Sequence, residues 1–176
     1  MRKIYQPGRS NVLSNNAMVA TSQPLSSQEA INILKIGGNA VDAAIAASAV
    51  LSVVEPGSTG IGGDCFSIIK MNNKKAISIN GSGISPKKAN LNYFRSNKID
   101  SIGLLSPHSV TIPGAVDAWH AMHQKFGKLD FEKLFTTAIY YAQEGFPIHE
   151  IEAFHWKKNE DKLKKNKVTK QIFLNN

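Results

Sequence analysis

Gly37-Gly38-Asn39-Ala40-Val41-Asp42-Ala43-Ala44-Ile45-Ala46-Ala47-Ser48-Ala49-Val50-Leu51-Ser52-Val53-Val54-Glu55-Pro56 is the stretch on which the fold turns. Asn39 is a good helix cap, and Asp42 follows three positions later in the first turn. From Val41 to Val54 the run is apolar nearly all round, so the spacing predicts a core helix rather than an amphipathic surface one. Its alanines at 43, 44, 46, 47 and 49 let neighbours approach closely. The longest apolar stretch, Ala43 to Val54, contains Ser48 and Ser52 and is too short to span a bilayer.

Upstream, Gly37-Gly38 closes an earlier helix whose start reads as a capping box, Ser26 with Glu29, and whose apolar stripe is Ala30, Ile33 and Leu34. Met18 to Thr21 reads as a short strand before it. Downstream, Glu55-Pro56 ends the core helix. Gly57 to Asp64 is then a glycine-rich loop, in which consecutive glycines permit positive φ or close backbone approach. Cys65 to Met71 and Ala76 to Asn80 form a hairpin about Asn72-Asn73-Lys74. His108 to Ile112 is a further strand candidate. Val116, Trp119, Met122 and Phe126 carry an amphipathic helix ending at Gly127. Asp130 caps another, with Leu134, Phe135, Ala138, Ile139 and Ala142 facing inward. Helices, a hairpin and more helices make an α+β architecture.

Bulk properties narrow the function classes. The 176 residues suffice for one domain, and 42% hydrophobic content argues against disorder. The net charge is +8, but Lys157 to Lys170 holds seven lysines and two acids, so this segment alone supplies +5. A solvated helix face is the simpler reading, and neither nucleic acid nor membrane is expected as a partner. The single cysteine, Cys65, forms no intrachain disulfide and reads as an inert buried thiol. No apolar run follows the early basic residues, so a cytoplasmic location is expected.

The chemistry-bearing candidates are few. The glycine loop lacks the Gly-Lys-Ser/Thr ending of a phosphate cradle, and the strand–helix order around it is reversed for a dinucleotide fingerprint. Structural packing is the favoured role. His120 and His123 share a helix face, but no carboxylate accompanies them in a metal-binding pattern, so they read as a surface pair. Asn80-Gly81-Ser82-Gly83 either lines a pocket or makes an ordinary turn. Propensity and spacing define no catalytic set, metal site or cofactor site.

Five blocks carry a resemblance. Met18-Val19-Ala20 with Pro24-Leu25-Ser26-Ser27, Gly37 to Ala44, Val54-Glu55-Pro56 with Ser58 to Gly63, Ser109 to Val116, and Glu144-Gly145-Phe146-Pro147 are similar, in order and spacing, to the gamma-glutamyltransferase family. The resemblance runs from about residue 18 to 150, with an echo at Ile172-Phe173-Leu174. It implies residues 18–176 as the amino-terminal portion of a large subunit, after an extension at 1–17. It also implies part of an αββα sandwich of the amino-terminal-nucleophile hydrolases, completed by downstream strands. Members are proenzymes that cut themselves, exposing a threonine that attacks a gamma-glutamyl amide, with no metal or organic cofactor. That threonine is expected beyond Asn176, on the small subunit, so none of Thr21, Thr59, Thr111, Thr136, Thr137 or Thr169 is assigned a catalytic role. The chain alone is expected to be inactive and poorly soluble. Ser82 falls where typical transpeptidases carry an arginine that grips the substrate's α-carboxylate, and Ile84 falls where the cytoplasmic branch commonly has one. This implies a glutathione-type gamma-glutamyl substrate or, as the alternative, a different small amide. A split enzyme and a non-catalytic binding module are the remaining readings.

Overall fold

The computed structural model describes residues 11–174. The expected extension at 1–17 therefore lies mostly outside the described residues. Helix α1 (Pro24–Lys35) does not begin with the Ser26–Glu29 box. Gln23 is the cap instead: its Oε1 accepts from Leu25 N at 2.5 Å and Ser26 N at 3.4 Å. The reason is Pro24, whose fixed φ and missing N–H suit the first helical position and start the helix three residues earlier. Ser26 is thereby turned inward, fully buried, and donates to the Ala47 carbonyl at 2.9 Å. The Met18–Thr21 segment before it is irregular chain rather than a strand.

The double glycine ends α1 by a paired turn. Gly38 N donates to Ile33 O and Gly37 N to Leu34 O, and Gly37 adopts φ 99°, which a side chain would resist. Helix α2 (Ala40–Val54) follows at once and is the centre of the molecule, with Val41, Ala43, Ile45, Ala46, Ala47, Ala49, Val50 and Val54 all buried. Helices α1, α4 (Ala115–Phe126) and α5 (Thr136–Glu144) pack round it.

Asn39 and Asp42 form a complete capping box. Asn39 Oδ1 accepts from Val41 N and Asp42 N, and Asp42 Oδ2 accepts from Asn39 N at 2.9 Å. The same two side chains reach a remote segment. Asn39 Nδ2 donates to Phe126 O at 2.6 Å, and Lys128 N donates to both Asp42 oxygens at 3.1 Å. Asp42 has no exposed surface. Its box therefore clamps the start of α2 to the end of α4.

Strands β1 (Cys65–Ile69) and β2 (Ile77–Gly81) pair antiparallel, Cys65 opposite Gly81 and Ile69 opposite Ile77. Asn73 takes φ 56° in the connecting turn, as the Asn-rich sequence anticipates. Cys65, Ser67, Ile69, Ile77 and Ile79 face α4, while Phe66 and Ile68 are 67% and 81% exposed on the other face. A two-stranded sheet with large apolar groups outside is half of a packing arrangement.

Four other expectations need correction. His108 to Ile112 is not a strand: Pro107–Ser109 is a short 3-10 turn, because Ser106 Oγ caps it and Pro107 occupies its first position. In α4 the buried face is Ala115, Ala118, Trp119 and Met122, while Val116 is 42% exposed. Trp119 and Met122 are buried as expected and Phe126 packs against the core, so Val116 alone leaves the expected stripe, at the end where Gly114 N and Ala115 N are anchored on Gly63. Asp130 caps nothing and pairs with Lys133 at 2.8 Å; a 3-10 segment, Phe131–Phe135, precedes α5. That shift leaves Leu134 and Ala138 buried but Ile139 and Ala142 exposed. Beyond α5, the lysine-rich segment forms short helices α6 (Glu150–Lys158), α7 (Glu160–Leu163) and α8 (Lys167–Phe173), with their lysines exposed. Leu91–Ser96 is a further short helix, α3. The α+β expectation holds.

The clamp yields a prediction. Asp42→Ala leaves the Asn39 and Lys128 N–H groups without their acceptor at a partly buried contact and is expected to cost about 3–5 kcal/mol, whereas Asp42→Asn, keeping one acceptor, costs roughly 1–3 kcal/mol. Thermal melts of the two variants beside Ser48→Ala measure this; Asp42→Ala melting with Ser48→Ala would refute the clamp.

Candidate functional site

Three loops meet at one end of the hairpin. The glycine loop is held by its last residues: Gly63 O accepts from Gly114 N at 3.1 Å and Ala115 N at 3.0 Å, satisfying the first donors of α4. Asp64 Oδ1 accepts from Gly83 N at 3.1 Å, joining the loop before β1 to the loop after β2. Ile112 N donates to Ile84 O at 3.0 Å, adding the segment that leads into α4.

Glycine is required here for space, not for conformation. None of the glycines between 57 and 63 has φ in the left-handed region. Instead, a Cβ on Gly81 would strike Ala118 Cβ, one on Gly83 would strike the Ile112 carbonyl, and one on Gly114 would strike the Gly81 carbonyl. Gly60 and Gly62 have open space around them. The packing role expected for the glycine loop is thus carried by its final turn, together with three glycines that lie outside it.

Ser82 sits at this junction, one residue past the end of β2, and is exposed. Its N–H donates to Asn80 Oδ1 at 2.9 Å, so Asn80 shapes the turn. Between Asn80 and Gly83 the backbone is therefore held from both sides, and the Ser82 side chain is left free at the rim. Ile84 is 71% exposed beside it. Neither supplies a cation, so the rim offers a hydroxyl and an apolar group where a carboxylate would call for a guanidinium.

The remaining candidates are not brought together. Cys65 is partly buried against Trp119, and burial pushes its thiol up from the ordinary cysteine value, partly offset by a hydrogen bond with Trp119. A thiol shifted that way is a poor nucleophile. His120 is exposed and meets Gln124 and the edge of Phe131. His123 corrects the surface-pair reading: it is half-buried, its Nε2 lies 2.7 Å from Leu129 O and 3.9 Å from Asp42, and it serves the clamp. Only its distant partners distinguish it from His120, so local spacing could not. Among the described residues no three His, Cys, Asp or Glu side chains gather as a metal site. The threonines with hydroxyl contacts use them locally, Thr21 on Gln23 O, Thr136 on Lys133 O and Thr169 on Asn166. A concavity missed by sequence reasoning lies between the Pro56–Ser58 turn and the α6–α8 helices.

Comparison with known proteins bears on this geometry. The family model described as gamma-glutamyltranspeptidase matches residues 26–176. A glutathione hydrolase-like YwrD proenzyme of Bacillus subtilis (strain 168) is 38% identical over 165 residues, covering 93% of this chain and 31% of its own length. The crystal structure of Helicobacter pylori gamma-glutamyltranspeptidase superposes with a TM-score of 0.85 at 28% identity, over 94% of this chain and 48% of that one. A cephalosporin acylase from Bacillus halodurans gives a TM-score of 0.79 at 35% identity, over 92% and 32%. The chain therefore spans about a third of the curated relative's length.

The junction makes a specific demand. Gly83→Ala is expected to destabilise by about 1–3 kcal/mol because the carbonyl it meets is backbone and cannot rotate away. Gly62→Ala, placed in open space, is expected to melt close to the parent. Equal melting of the two variants would remove the packing account of the junction.

Proposed function

The chain belongs to the gamma-glutamyltranspeptidase family, and from that premise we propose that it forms the amino-terminal part of the large subunit of a self-cleaving amide hydrolase or acyl transferase. The observation that carries this reading is that blocks resembling the family, with Asp64 directly after one of them, anchor remote segments of the chain. Asn39 and Asp42 hold Phe126 and Lys128, Gly63 holds Gly114 and Ala115, and Asp64 holds Gly83. Residues of the resemblance thus build the frame that supports the end of β2.

In this reading the nucleophile is a threonine on polypeptide outside these residues, a small subunit released by self-cleavage. Its hydroxyl attacks the substrate carbonyl, its own amine takes the proton and passes it to the leaving nitrogen as the C–N bond breaks, and the resulting acyl-enzyme is resolved by water or an acceptor amine. Backbone donors stabilise the tetrahedral oxyanion. The present chain supplies the scaffold and the Ser82 rim against which the substrate's far end rests. A cytoplasmic location belongs to the same reading, in keeping with a single cysteine that forms no intrachain disulfide.

Incubated alone with gamma-glutamyl-p-nitroanilide, the chain is expected to release no nitroaniline and to keep its intact mass. A covalent glutamyl adduct on any of its side chains would overturn the assignment of the nucleophile to other polypeptide.

A second reading concerns the substrate. Ser82 and Ile84 in place of guanidinium groups favour an amide without a free α-carboxylate, and the likeness to a cephalosporin acylase supports acyl groups other than gamma-glutamyl. In the complete enzyme, Ser82→Arg is expected to lower KM for gamma-glutamyl-p-nitroanilide about tenfold, the worth of one charge-assisted pair, with kcat little changed. An unchanged KM would count against Ser82 as a substrate-facing position.

A further inference from the structure

Three acidic side chains are more than nine-tenths buried among the described residues: Glu29, Asp42 and Glu152. Asp42 accepts from Asn39 N and Lys128 N, and Glu29 Oε2 accepts from Asn32 Nδ2 at 3.4 Å. Glu152, only 6% exposed, differs. Its backbone N–H donates to His149 Nδ1 at 3.3 Å, capping α6, but among the described residues its carboxylate accepts no hydrogen bond and joins no ion pair. As the third residue of α6 it stands where a glutamate ordinarily reaches back to the cap; here the carboxylate turns instead toward Gly57, with Oε1 3.7 Å from where a Cβ on Gly57 would stand.

Glu152 lines a cleft of about 280 Å³ between the Pro56–Ser58 turn and the α6–α8 helices. One wall is aromatic and fixed: Trp156 Nε1 donates to Phe173 O at 3.0 Å, and the two rings lie 5.6 Å apart. Lys162 also lines the cleft. Glu152 is a mostly buried residue whose unpaired carboxylate oxygens open on the cleft, and a carboxylate sharing a cleft with an indole ring is the pairing that favours an organic cation, through charge on one side and the ring's negative face on the other.

We propose that this cleft binds a small organic cation: a primary ammonium or guanidinium group set against Glu152, with its apolar stem along Trp156. The volume, at the lower end of ligand pockets, suits one amino acid or one side chain. Two sources share that chemistry. In a free amino acid, the ammonium meets Glu152 and the carboxylate meets Lys162. In an arginine or lysine side chain from adjoining polypeptide, only Glu152 is engaged. The site stands apart from the hairpin-end junction and does not depend on the reaction proposed there.

Two-dimensional NMR of the tryptophan indole N–H signals tests it, because Trp156 lines the cleft while Trp119, buried beside Phe135, reports whether the core is folded. The chain is titrated with L-norleucine, with Nα-acetyl-L-argininamide and with butyrate. At least one of the two cations is expected to shift the Trp156 signal saturably while Trp119 stays fixed. Glu152→Gln is expected to weaken that binding about tenfold. Gly57→Val, which narrows the opposite wall, weakens it independently should Glu152→Gln lose the Trp119 signature of the fold. A response to norleucine identifies a free amino acid, and a response to the acetylated argininamide alone identifies a polypeptide side chain. Failure of both cations, an equal response to butyrate, or unchanged affinity in a folded variant overturns the proposal.

Discussion

A buried carboxylate with well-placed donors on both sides of it holds this molecule together. Asp42 has no solvent contact, so its charge must be matched within the protein. One donor is local, Asn39 N, and the other, Lys128 N, comes from a turn 86 residues away in sequence. Satisfying both places the start of α2 against the end of α4, and His123 and Phe126 complete the contact. Net stabilisation from such a group is modest, because desolvation offsets most of the attraction. What it gives is register: α4 can pack on α2 in one way only.

The register of α4 then decides the hairpin. Ala118 lies where Gly81 must approach, and Ser67 Oγ sits 3.0 Å from the Met122 sulfur, so the inner face of the sheet is shaped to that helix. At the far end, Gly63 closes the start of α4, and Gly114 and Gly83 permit backbone to lie against backbone. The strand-end rim carrying Ser82 is therefore as well positioned as the core. Its chemistry is weak by itself, a hydroxyl and an exposed isoleucine on a rigid frame.

The outward face tells a complementary story. Phe66 and Ile68 project from the sheet away from α4, and both sheet edges lack a further strand among the described residues. Sheets with one covered face usually place polar groups on the other. Apolar groups on both faces fit a layer between two packings, in agreement with structural relatives of which this chain covers half or less. The lysine-rich helices show the opposite character, with their charge in solvent and one buried acid, Glu152, beneath them.

Local chemistry alone determined much of this. Asn39 and Asp42 announced a helix start, Gly37-Gly38 a helix end, the apolar run after Val41 a central helix, and Asn72-Asn73 a hairpin turn, because each of these depends on neighbours within a few residues. Where several local solutions competed, the sequence could not choose. Pro24 displaced the Ser26–Glu29 box, and at the start of α4, anchored on Gly63, Ala115 rather than Val116 faces the core. Tertiary structure alone decided that Asp42 serves two elements, that His123 differs from His120, that three glycines are needed for room rather than for φ, and that Glu152, mostly buried, turns its unpaired carboxylate to a cleft. Each of those facts concerns residues far apart in sequence, and only the folded chain brings them within bonding distance.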